Sequence, residues 1–185
     1  MVRKRITLTE EGLHKMIRAA LNEMARYRGD MVFVSYLNEP YDKSKFKPIQ
    51  INMMTQVINK CKDGLWACPA DSRYGWKEWC KDNEFNEGKL NNAFFFKLSP
   101  NAKIYAIHDI DDLERISTAR GYMGDGTIDF QRLLDEGYDG IYVSEEAVTA
   151  FHSFAKKGVQ DLNAWDVESI CIFNPDVIIS IENGG

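Results

Sequence analysis

Trp165-Asp166-Val167-Glu168-Ser169-Ile170-Cys171-Ile172-Phe173-Asn174-Pro175-Asp176-Val177-Ile178 is the stretch on which the fold turns. Residues 169–173 and 177–181 are rich in β-branched and apolar side chains, and the Asn-Pro-Asp between them is turn chemistry, so two short strands are expected. Strand side chains alternate, which puts Glu168 on one face with Asp166, Ile170 and Ile172, and Ser169 on the other with Cys171 and Phe173. A carboxylate at the head of an apolar strand is costly unless the position opens to a cleft or to solvent. Asp166 and Glu168 are therefore candidates for chemistry, with a solvated strand end as the plain alternative.

The same pattern recurs upstream. Residues 31–37 (MVFVSYL) read as a buried strand ending in a polar pair and followed by a turn at Asn38-Glu39-Pro40. Residues 65–68 form a short strand broken by Pro69, and 92–98, 103–107 and 140–143 are further strands. Helices are expected from NMMTQVINKC to an exit at Gly64, over 72–81 with Trp76, Trp79 and Cys80 on one side, after Asp109, over 128–136 and over 145–157. The loop RGYMGDGT at 120–127 fits neither spacing of the phosphate-binding glycine loops and reads as a connection. Strands outnumber helices after residue 90 and the turns are short, which favours an α+β domain of mostly antiparallel strands over a doubly wound parallel sheet.

A chain of 185 residues has room for one full domain and a modest appendage. Hydrophobic residues make up 44% and aromatic ones 12%, and the mean hydropathy is -0.38, as in water-soluble globular chains. No apolar run approaches the roughly 20 residues a membrane helix needs, and no secretory signal is read at the start, so no membrane partner and a cytoplasmic location are expected. The net charge of -5 is uneven: residues 1–28 carry seven Lys/Arg against three Asp/Glu, and the remainder 16 against 25. An acidic body makes nucleic acid an unlikely ligand. Four cysteines without a CxxC pair imply reduced thiols, with Cys68 and Cys171 packed as small hydrophobes, and three scattered histidines give no metal spacing.

Two further places bear on function. In the first, Ser35 and Tyr36 close the strand over 31–37, as a ligand contact or as a strand end and no more. In the second, Gly64-Leu65-Trp66-Ala67-Cys68-Pro69 is followed by Tyr74, Trp76 and Trp79, so three of four tryptophans fall within 14 residues. Such faces suit stacking on a planar ring, and an aromatic core explains them equally.

The order of these pieces resembles the ADP-ribosyltransferase-like superfamily. The likeness rests on the strand ending in Ser35-Tyr36, GLWACPADSRYGWKEWC, FKLSPNAKIYAI, the strand at Tyr138-Asp139-Gly140-Ile141, and WDVESICIFNPDVI, and it covers residues 33–181. More closely, the chain is similar to small, mostly uncharacterised bacterial and phage proteins of that fold. The resemblance implies two small, mostly antiparallel sheets around a nucleotide cleft, in a domain at 30–185. It implies NAD as substrate, a mono-ADP-ribosyltransferase or related NAD-cleaving activity, and Glu168, or Asp166 in its place, as the carboxylate that steadies the developing ribose cation. A slip of one residue in the strand register would put Ser169 there. Ser35, Tyr36, Leu65, Trp66, Tyr74 and Trp76 are then the nucleotide contacts, and no metal is implied. Where relatives have His-Tyr-Gly-Ser the chain has Ser35-Tyr36-Leu37-Asn38, and Cys68 stands where serine is usual. These departures carry the alternative, a catalytically inactive binding protein of the same fold, as virion cargo or a host-factor binder.

The head of the chain reads as a separate unit. A helix is expected there, with Thr9 able to cap it, Glu10 and Glu11 in its first turn, and Leu13, Met16, Ile17, Ala20, Leu21 and Met24 spaced as one apolar stripe before Gly29. The stripe is buried either on the chain's own core or on another protein. The segment resembles a lead helix found in proteins of tailed phages of gut bacteria, which implies a docking helix over 1–28 for a protein partner, and the cytosol of a bacterial host or a virion as the location.

Overall fold

The computed structural model describes residues 31–118, 126–154, 162 and 164–181. The expected helix over 1–28 and most of the loop over 120–127 lie outside the described residues. Seven strands, β1 (Phe33–Leu37), β2 (Leu65–Pro69), β3 (Asn92–Leu98), β4 (Ile104–Ile107), β5 (Gly140–Val143), β6 (Ser169–Ile172) and β7 (Ile178–Ser180), form one curled sheet in the order β4-β5-β6-β2-β1-β3-β7. Every pairing is antiparallel except β4 with β5. Parallel neighbours need a crossover of a dozen or more residues, and residues 108–139, which carry α3 (Ile110–Ile116) and α4 (Phe130–Asp135), supply it.

The two separate sheets expected from the sequence are instead halves of this single sheet. β1 follows β3 through five residue pairs but meets β2 only at Phe33↔Pro69 and Val34↔Cys68, while β2 follows β6 over Leu65, Trp66 and Ala67. Each strand is held by a different ladder, and sheet twist carries the two apart beyond the shared pairs. Ser35 and Tyr36 therefore have no cross-strand partner on β2, and a gap opens at the splay.

Alternation on β5 and β6 separates two cores. Ile141, Val143, Cys171 and Phe173 pack with Leu113, Leu133 and Trp165 on one face; Tyr142, Ile170 and Ile172 pack with Phe33, Leu65 and Phe96 on the other. The remaining helices are short: α1 (Met53–Val57), α2 (Trp76–Asp82) and α5 (Glu145–Phe154). α1 starts with a capping box in which Asn52 accepts from the backbone of Met54 and Thr55, and Thr55 accepts from the backbone of Asn52.

The first of these helices ends well before Lys60, short of the run the sequence predicts. Asn59 has φ 53°, its side-chain carbonyl accepts from the backbone N–H of Ile128 at 2.7 Å, and its own carbonyl accepts from the indole of Trp165 at 2.9 Å. The Asn59 carbonyl is thus engaged with Trp165 rather than with a further helical turn, while its backbone N–H still donates to the Gln56 carbonyl. Gly64 turns the chain into β2 at φ 72°, where a Cβ would lie 2.8 Å from the carbonyl oxygen of Ile172. The helix expected over 72–81 begins later, at Trp76, with Gly75 at its N-cap and the Glu78 carboxylate accepting from the Gly75 backbone at 3.2 Å.

Candidate functional site

The splay of β1 from β2 leaves a cavity of about 230 Å³ lined by Val34, Ser35, Tyr36, Lys60, Trp66, Ala67, Trp76, Asp166, Val167 and Ser169. Five residues singled out from the sequence meet here: Ser35 and Tyr36 from β1, Trp66 from β2, Trp76 from the start of α2, and Asp166 from the segment before β6. Ser169 joins them. Leu65, Tyr74 and Glu168 do not line it.

Trp66 is fixed from behind. Its indole N–H donates to the Asp63 carbonyl at 3.1 Å, and its ring lies 4.9 Å from that of buried Trp165, tilted by 59°. Trp76 stacks on Trp79 at 5.0 Å, and Phe85 sets its edge against both, so the second indole of the cavity also has a rigid support. The rings support one another as an aromatic core does, and Trp66 and Trp76 also line the cavity.

Lys60 supplies the cation. Its ammonium donates to the Ala164 carbonyl at 2.6 Å and stands 4.6 Å from the Trp66 ring centre and 6.0 Å from that of Trp76. Burial pulls the Lys60 pKa down, while Asp166 and, more weakly, Cys61 and Cys171 favour its charged form. In the sequence Lys60 falls inside the run NMMTQVINKC expected to be helical, and no local pattern marks it as a cavity residue. The Tyr36 hydroxyl is pushed up by burial, then by Cys68 and Glu78. Cys68 is buried beside the Val34 carbonyl, 3.8 Å away, and burial pushes its thiol up as well.

The other candidates have different surroundings. Leu65 belongs to the core beneath the curl. Tyr74 is exposed and donates to Asp82 at 3.0 Å. Glu168 accepts a hydrogen bond from Tyr142, whose side chain packs with Ile170 and Ile172 rather than with Trp66. Burial raises the Glu168 pKa, as do Glu145, Glu146 and Asp71, against the lowering effect of Tyr142. The expected alternation that grouped Asp166 with Glu168 fails because β6 begins only at Ser169; Asp166 precedes the ladder and is not bound by its period.

With two indoles, one ammonium, one carboxylate and the hydroxyls of Ser35 and Tyr36, the cavity can stack a planar ring and hydrogen-bond its edge through both donors and acceptors. A larger open groove of about 780 Å³ runs beside the outer half of β3, with Tyr41, Lys43, Phe94 and Ile178 in its walls, and none of the sequence candidates reaches it. Among the described residues no group of three or more His, Cys, Asp or Glu could hold a metal, and no helix is long and apolar enough to cross a membrane. No family model, curated protein or solved structure matches the chain.

Proposed function

We propose that the cavity binds NAD through a planar ring and that the chain cleaves the nicotinamide–ribose bond, acting as a small mono-ADP-ribosyltransferase or a related NAD-cleaving enzyme. The observation that carries this reading is the meeting of Ser35, Tyr36, Trp66, Trp76 and Asp166, from three distant segments, in one cavity. Its volume of about 230 Å³ is below the roughly 300–1,000 Å³ of sites that enclose a drug-sized ligand, so it takes one ring and leaves the rest of the dinucleotide along the surface.

In this reading the carbon–nitrogen bond breaks with its electron pair leaving on nicotinamide, and the ribose carbon is left cationic. The acceptor's nucleophile then forms the new bond at that carbon and loses its proton. Asp166 is the carboxylate within reach of the cavity, and it favours the charge as it develops. Trp66 and Trp76 hold the departing ring. The helix expected over 1–28 serves this activity as a docking segment for a protein partner.

Lys60 favours a second reading, that of a binding protein of the same architecture without catalysis. An ammonium held 4.6 Å above the Trp66 ring opposes a cation forming in the same cavity. The two readings separate by melting and turnover measured together. A ligand at 100 times its dissociation constant stabilises by about 2.7 kcal/mol. Stabilisation by NAD with nicotinamide release that falls about 10²–10³-fold in Asp166→Asn supports the enzyme. Stabilisation without release supports the binding protein, and no response to NAD or nicotinamide removes both.

A further inference from the structure

We propose that Cys61 and Cys171 are a redox-active dithiol, converted to an intramolecular disulfide by a low-molecular-weight disulfide such as oxidised glutathione. Their sulfur atoms lie 3.1 Å apart although 110 residues separate them in sequence. A disulfide needs about 2.05 Å, so roughly 1 Å of side-chain movement closes the bond. The remaining thiols are differently placed: Cys68 faces the Val34 carbonyl, and Cys80 is buried within α2.

The chemistry runs in two exchanges. Cys61, 4% exposed against 0% for Cys171, attacks one sulfur of oxidised glutathione as the thiolate and releases the first glutathione. Cys171 then loses its proton to water, attacks the Cys61 sulfur and expels the second glutathione. Two thiols are oxidised, one disulfide is reduced to two thiols, and two electrons pass between them. Burial and the neighbouring Cys61 hold the Cys171 thiol up, while Lys60 favours its thiolate, so the second exchange is the slow one. Entry to Cys61 requires the 58–64 connector to open locally.

The bond would join the two supports of the cavity. Cys61 follows Lys60 directly, and Cys171 is the cross-strand partner of Trp66. Oxidation ties the segment carrying Lys60 to the strand beside Trp66, and it closes a loop spanning 110 residues, which restricts the unfolded chain far more than the folded one.

The whole protein is equilibrated in glutathione buffers from fully reduced to fully oxidised, quenched with acid, alkylated and mapped by peptide mass. The expected result is two thiols protected of four, a peptide joining Cys61 to Cys171, and a melting midpoint higher by on the order of 10 °C, all reversed by dithiothreitol. Cys61→Ala should make the midpoint indifferent to the buffer; should that variant not fold, the wild-type peptide map decides alone. Four alkylated thiols in the fully oxidised buffer, a link through Cys68 or Cys80, or a glutathione adduct on Cys61 that never resolves would each overturn the proposal.

Discussion

Asp166 and Glu168 stand two residues apart, yet they have different surroundings. Asp166 shares a cavity with the ammonium of Lys60 and two indoles, in a place where a ligand has room. Glu168 accepts from Tyr142 and is surrounded by the charges of Glu145, Glu146 and Asp71, which raise its pKa together with burial. Asp166 lies beside the Lys60 cation, whereas burial and acidic neighbours favour the neutral form of Glu168. The segment before β6 thus carries a cavity-lining carboxylate in Asp166 and, two residues on, one held by Tyr142 in Glu168. This difference, more than the identity of either residue, moves the reacting carboxylate of the proposed function to Asp166.

The comparison breaks most severely if the support behind the cavity is removed. Trp165 is 1% exposed, packs on Trp66 and donates to Asn59, so Trp165→Ala should cost about 3–5 kcal/mol in urea unfolding. Such a loss would tie the cavity to the main core; a loss under 1 kcal/mol would mean that the Trp66 wall stands without it. Asn59→Gly should follow at about 1–3 kcal/mol, because it leaves the buried N–H of Ile128 without its acceptor while keeping the left-handed backbone. Asn59→Ala should be worse than Asn59→Gly, since alanine adds the cost of φ 53°.

The strands were legible because they are short and strongly patterned. NAFFFKL and GIYV occupy the ladders read from them, and Asp109 caps α3 where the acidic run placed a helix start. Single-strand patterns carry no information on where two ladders stop sharing residues, so one splayed sheet could not be told from two sheets. The cavity was half legible for the same reason. Ser35, Trp66 and Trp76 stand in recognisable motifs, but Lys60 arrives through a tertiary turn made by Asn59, whose hydrogen bonds to Ile128 and Trp165 span 69 and 106 residues. Asp166 and Glu168 were grouped by a period that begins only at Ser169.

Lys60 gives a test of the cavity side with a smaller effect. Its pKa lies below 10.5 in the folded protein, so the unfolded chain binds this proton more tightly. Stability should therefore rise with pH from the folded pKa toward 10.5, and this contribution is missing in Lys60→Met. The wild-type midpoint should gain on that of Lys60→Met across the alkaline range. Parallel curves would show that the ammonium is as well solvated folded as unfolded.

The smallest expected effect is on the opposite side of the segment and has the opposite direction. Glu168 has its pKa raised above 4.5 on folding, so the folded chain holds this proton more tightly than the unfolded one. Its contribution is fully present below 4.5 and is lost as pH rises through the folded value. Glu168→Gln fixes a neutral group of the same shape that can still accept from Tyr142. The variant and the wild type should melt together in acid, and at neutral pH the variant should melt higher, by a margin kept small because Glu168 is only partly buried. Its melting response to NAD should match that of the wild type, because Glu168 does not line the cavity. A variant that melts lower at neutral pH would mean that Tyr142 outweighs burial and the three acidic neighbours. The contrast with Asp166 would then rest on position alone.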